Sequence, residues 1–133
     1  MPKPFALVSS GDIKGQEFLD MVRAVGGVIE DANALQGRIS QGERHVWVAL
    51  DNSLLNEYEA DEIELIQQKL GGRPQSCILL DVSRTGESER LALEFAGACA
   101  ERWPCVVYNL RDKVLSASDL LRLRKTEKEG LPL

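Results

Sequence analysis

Ser76-Cys-Ile-Leu-Leu-Asp-Val82, the stretch from Gly86 to Trp103, and Cys105-Val-Val-Tyr-Asn109 together decide the fold class. The outer two are short apolar runs of strand length. The first is almost wholly apolar, as a strand covered on both faces should be. Between them Leu91, Ala92, Phe95, Ala96, Cys99 and Trp103 recur at helical spacing, with Glu87, Glu94 and Glu101 pointing away. Ser83 or Thr85 can cap the start of this helix. Pro104 follows its end. Strand, helix and strand in this order predict a βαβ unit with a right-handed crossover and parallel strands.

Upstream, Phe5-Ala-Leu-Val8 reads as a strand and Ser9-Ser-Gly-Asp12 as a turn. A helix is expected from about Ile13 to Val25, with Phe18, Met21, Val22 and Val25 on one face and Gly26-Gly27 ending it. Val28-Ile29 is a short strand. Leu35–Ser40 and His45–Leu50 flank Gln41-Gly-Glu-Arg44, a hairpin signal. Asp51-Asn-Ser53 breaks the second of these strands. A helix from about Glu57 to Leu70 follows and stops at Gly71-Gly-Arg-Pro74. A last helix is expected from about Ser118 to Glu129, opened by the capping pattern Ser116-Ala-Ser-Asp119. The expectation is a single α/β domain over residues 1–133, with residues 116–133 as a C-terminal helix and tail. Its mixed sheet has five or six strands, an antiparallel meander, a C-terminal parallel βαβ unit and helices on both faces.

At 133 residues the chain is long enough to bury a real core, and its 44% hydrophobic and 28% charged fractions are those of a globular protein. Its apolar runs fall far short of the roughly 20 residues that cross a membrane. Met1-Pro-Lys-Pro-Phe-Ala-Leu-Val8 is too short for a secretory signal, so a cytoplasmic protein is expected. Cys77, Cys99 and Cys105 lie among apolar neighbours and read as small, reduced core residues. A Cys77–Cys105 pair on adjacent strands stays open. With one His and no C-x-x-C, a zinc site is not expected, nor is any cofactor. The net charge of −5 argues against direct nucleic-acid binding and for a basic partner. Residues 51–64 concentrate the acids: Asp51, Glu57, Glu59, Asp61, Glu62 and Glu64, with no base.

Chemistry is hard to find. His45 shares a strand face with Trp47 and Ala49 but has no sequence partner that would make it a general base. The loop Asp81-Val-Ser-Arg-Thr-Gly86 follows a strand and opens a helix, where anions bind. Ser83, Arg84 and Thr85 could hold a phosphate there, although Glu87 and Glu89 would repel one. Ser9-Ser-Gly-Asp-Ile-Lys-Gly15 is a second such loop but lacks both nucleotide-loop patterns. A small-ligand or nucleotide-binding domain would use these two loops, sharing one rim of the sheet. The acidic helix is the stronger candidate surface. Ile63, Ile66 and Leu70 form its inward stripe. Tyr58 and Leu65 lie opposite, among the carboxylates, like an interface anchor with a charged rim. The plainer reading is a solvated helix face with Tyr58 tucked against the preceding loop. The candidate partner-binding set is therefore Asp51, Glu57, Tyr58, Glu59, Asp61, Glu62, Glu64 and Leu65.

Several blocks carry a family resemblance: Glu43-Arg-His-Val-Trp-Val-Ala-Leu50, then an acidic helix with Lys69-Leu-Gly-Gly72, Ile78-Leu-Leu-Asp-Val82, Leu91-Ala-Leu-Glu-Phe-Ala96 and Trp103-Pro-Cys-Val-Val107. Over roughly residues 28–110 the chain resembles small bacterial immunity proteins of contact-dependent inhibition and polymorphic-toxin systems. The resemblance implies a cytoplasmic, non-enzymatic protein that binds and blocks one cognate toxin domain, often a nuclease and commonly basic. It implies no catalytic residue. No family motif defines binding residues, so the acids named above rest on charge distribution alone. A monomer or weak dimer is expected.

Overall fold

The computed structural model describes residues 5–82, 88–109 and 113–115. The strands are β1 (Phe5–Ser9), β2 (Val28–Asp31), β3 (Gln36–Gln41), β4 (Arg44–Leu50), β5 (Ser76–Val82), β6 (Cys105–Asn109) and β7 (Lys113–Leu115). The helices are α1 (Gly15–Ala24), α2 (Ala60–Leu70) and α3 (Ser88–Arg102), with a 3-10 helix at Asn52–Glu57. The α/β class holds, with the expected meander and helices on both faces of one sheet. The expected helix at 118–129 lies outside the described residues.

The sheet order is β2-β3-β4-β5-β1-β6-β7, and every hydrogen-bonded pair is antiparallel. This corrects two expectations. The sheet has seven strands in the described residues rather than five or six, because the short edge strand β7 joins through Val107↔Leu115. The C-terminal unit is also split. β5 and β6 run in the same direction, but β1 lies between them, antiparallel to both. The physical reason is the character of β1. Its residues 6 to 9 are buried, so it needs a ladder on each side, and it finds Leu7↔Ile78 on one and Leu7↔Val107 on the other.

The β3–β4 hairpin closes through Gln41↔Arg44 with only Gly42-Glu43 between. Gly42 has φ 63°, which a tight hairpin turn requires at its first central position. Alternation then sorts the side chains. Val46, Val48, Leu50, Ile78 and Leu80 face α1 and α3 in the larger core, with Phe18, Val22 and Phe95 from the helices. Val22 sits so close to the meander that side chains at Gly27 and Gly37 are excluded. A Cβ at Gly27 would lie 2.7 Å from Val22 Cγ1, and one at Gly37 would lie 2.9 Å from the same atom. The second face carries Ala6, Val8, Cys77, Val106 and Tyr108 beneath Ile66 of α2, with Leu54, Leu55 and Tyr58 packed at the side.

The three cysteines are buried and free. Cys77 and Cys105 cannot pair: β1 separates their strands, and they point to opposite faces of the sheet. Burial pushes the thiols of Cys77 and Cys105 up to about 12, so both stay protonated and unreactive at neutral pH.

Candidate functional site

The acidic segment is built onto the sheet by backbone bonds. The Asp51 N–H donates to Cys77 O at 2.9 Å, and Cys77 N–H donates to Asn52 Oδ1 at 3.0 Å. Asp51 Oδ1 accepts from the Ser53 N–H at 3.1 Å, which caps the 3-10 helix. These bonds hold the first turn of the segment against the start of β5. Helix α2 then starts with Glu62 Oε1 accepting from the Glu59 N–H at 3.0 Å, half of a capping box. Gly71 closes the helix with φ 77°.

This geometry splits the candidate set. Asp51, Glu57, Glu59, Asp61 and Glu64 are exposed. Glu62 is a structural residue: Tyr108 OH donates to its Oε2 at 2.6 Å. That hydroxyl, with the Glu59 N–H, lowers the carboxyl below its ordinary value. Leu65 is half-buried on α2. Tyr58 is not an exposed anchor. It packs edge-on against Tyr108, with ring centroids 5.4 Å apart and planes at 83°. Burial is the main cause of the raised Tyr58 phenol, followed by Cys77 and Glu62 beside it. Tyr58 precedes the first turn of α2, so the chain entering the helix turns it inward; helical spacing does not apply to it.

The strands that precede the two ligand-loop candidates finish at opposite ends of the sheet. Ser9, at the end of β1, pairs with Ser76, at the start of β5. The loop after Val82 therefore leaves the sheet at the opposite end. Ser83, Arg84 and Thr85 lie outside the described residues. The polar groups of the Ser9–Gly15 loop are turned to structural use. Ser9 Oγ donates to Pro104 O at 2.7 Å and accepts from the Gly11 N–H at 3.0 Å. Ser76 Oγ donates to Gly11 O at 2.9 Å and accepts from the Ile13 N–H at 2.9 Å. Both serines are fully buried, and each hydroxyl is satisfied without a ligand. Among the described residues, no His, Cys, Asp or Glu group is placed to hold a metal ion. No helix there is long and apolar enough to cross a membrane.

A second surface was not nominated from the sequence. On the second sheet face, Val28, Arg38, Trp47 and Asp81 form one row across β2, β3, β4 and β5, each directly opposite the next. Val28 is 56% exposed and Trp47 40%, and these are the exposed large hydrophobic residues among the described residues. Arg38 Nη1 lies 3.9 Å from Glu30 Oε2, and the buried Arg38 Nε makes no hydrogen bond. His45 flanks Trp47 at 5.9 Å between ring centroids, and its Nδ1 is 2.8 Å from Ser40 Oγ. The sequence signal was present, since His45, Trp47 and Ala49 alternate with core residues. Periodicity alone could not say that no helix among the described residues covers that face. No family model, curated protein or solved structure matches the chain.

Proposed function

We propose that this chain is an immunity protein, which binds a basic bacterial toxin domain and blocks its active site or substrate surface. The observation that carries the reading is the run of exposed carboxylates at Asp51, Glu57, Glu59, Asp61 and Glu64, with no Lys or Arg between residues 51 and 64. Such a face speeds encounter with a basic partner and rejects an acidic one. The hydrogen bonds that fix its first turn to β5 support rigid presentation, which lowers the ordering cost of binding. Inhibition by occlusion needs no catalytic group and no cofactor. The protein acts in the cytoplasm as a monomer or weak dimer. Ligand binding between two strand-end loops is less well supported, because those loops leave opposite ends of the sheet.

Co-expression with the toxin domain encoded beside it tests the reading. The expected result is rescued growth and co-purification, with affinity that falls as salt rises. Reversing Asp61 and Glu64 to Lys should slow association at least about tenfold while the fold stays intact. A toxic neighbour that is neither neutralised nor bound would refute the proposal.

A further inference from the structure

We propose that the open sheet face over β2, β3 and β4 is a docking surface for the same basic partner, with Trp47 and Asp81 forming a receptor for one Arg or Lys side chain. This rests on the reading of the chain as a binder of a basic protein and names the anchor that Tyr58 does not supply. Trp47 and Asp81 are directly opposed on β4 and β5, so their Cβ atoms lie about 5 Å apart on one face. The indole is 40% exposed, and Asp81 is exposed beside it. The other polar side chains beside it have partners: Arg38 faces Glu30, and His45 meets Ser40. Among the described residues none pairs with Asp81. A negative ring face next to a carboxylate is the environment a cationic side chain prefers. The chain uses half of this device itself, with the Arg102 guanidinium 4.9 Å from the centroid of the Trp103 ring. Val28, at the far end of the row, adds an apolar contact.

Charge decides the occupant. The chain carries −5 overall, and the acid-only segment begins at Asp51, directly after β4. A basic surface drawn to that segment therefore meets the Trp47 row beside it. A flat, four-strand row suits a protein surface rather than a small ligand, which needs a concave site.

The test is tryptophan emission during titration with a short oligo-arginine peptide, repeated with the toxin domain. The expected result is a change that vanishes in Trp47→Phe, and an affinity reduced roughly tenfold in Asp81→Asn. An oligo-glutamate peptide should give no response. Toxin binding, read by co-purification, that survives Trp47→Ala and Asp81→Asn but is lost on Glu64→Lys would overturn the inference and leave the proposed function standing. Peptide binding at Trp47 without toxin binding would do the reverse. A dimer abolished by Trp47→Ala would also overturn it, because the face would then belong to a second copy.

Discussion

Across β5, β1 and β6 the second sheet face carries Cys77, Val8, Ala6, Val106 and Tyr108 beneath α2; across β2, β3 and β4 the same face carries Val28, Arg38, Trp47 and Ala49 in the open. The two halves share one sheet and one pleat. They differ in what the alternate positions hold. β5 and β6 are apolar at both parities, so both faces must be covered. β3 and β4 are apolar at one parity only, where α1 and α3 meet them. Trp47 breaks that rule, a large aromatic at a parity otherwise held by Ala49 and polar residues. A residue that departs from the pattern of its own strand, with no covering element among the described residues, points to an external contact.

The sharpest way to break this comparison is to empty the covered half. Ile66, on α2, is fully buried against the sheet, and Ile66→Ala should lower unfolding free energy by about 2–5 kcal/mol, read by denaturant titration. A loss below about 1 kcal/mol would mean that α2 is not packed on the sheet as described.

A smaller effect is expected at the polar join between α2 and the sheet. Tyr108→Phe removes the donor to Glu62 and should cost about 1 kcal/mol at neutral pH. The Glu62 carboxyl is more acidic folded than unfolded. Between the two values the unfolded chain binds the extra proton, so this stabilisation is complete above the unfolded value of about 4.3 and is lost as pH falls through the folded value. The gap between wild type and Tyr108→Phe should therefore narrow on acidification. A gap independent of pH would show that the hydroxyl acts through packing alone.

The smallest effect belongs to the open half. Trp47→Ala should change stability by no more than about 0.5 kcal/mol, because the side chain covers little of the core. A loss of several kcal/mol would convert Trp47 from a contact residue into a structural one and remove the contrast between the two halves.

Much of the local structure was legible in the residues. The periods of Phe18–Val22 and Leu91–Cys99 mark α1 and α3, Gly26 and Gly71 stop α1 and α2, and Gly42 turns the hairpin. Tyr58 shows where such reading stops. Helical spacing placed it opposite the buried stripe, but the helix begins after it, at Ala60, and the preceding extended residue turns its ring onto Tyr108. Of the acidic candidates, charge and exposure were legible for five, whereas the tie between Glu62 and Tyr108 spans 46 residues and leaves no local mark.

By itself the sequence determined β1 to β6 and α1 to α3, the parity of these strands and the excess of acid between residues 51 and 64. These follow from side-chain chemistry over a few neighbouring positions. Only the tertiary structure decided that β1 enters between β5 and β6, that Ser9 and Val82 finish their strands at opposite ends of the sheet, and that no helix among the described residues covers the Trp47 face. Those depend on which strand finds which partner across the chain. Hydrogen-bonded ladders use the same backbone groups whatever the pairing, so local sequence carries little record of it.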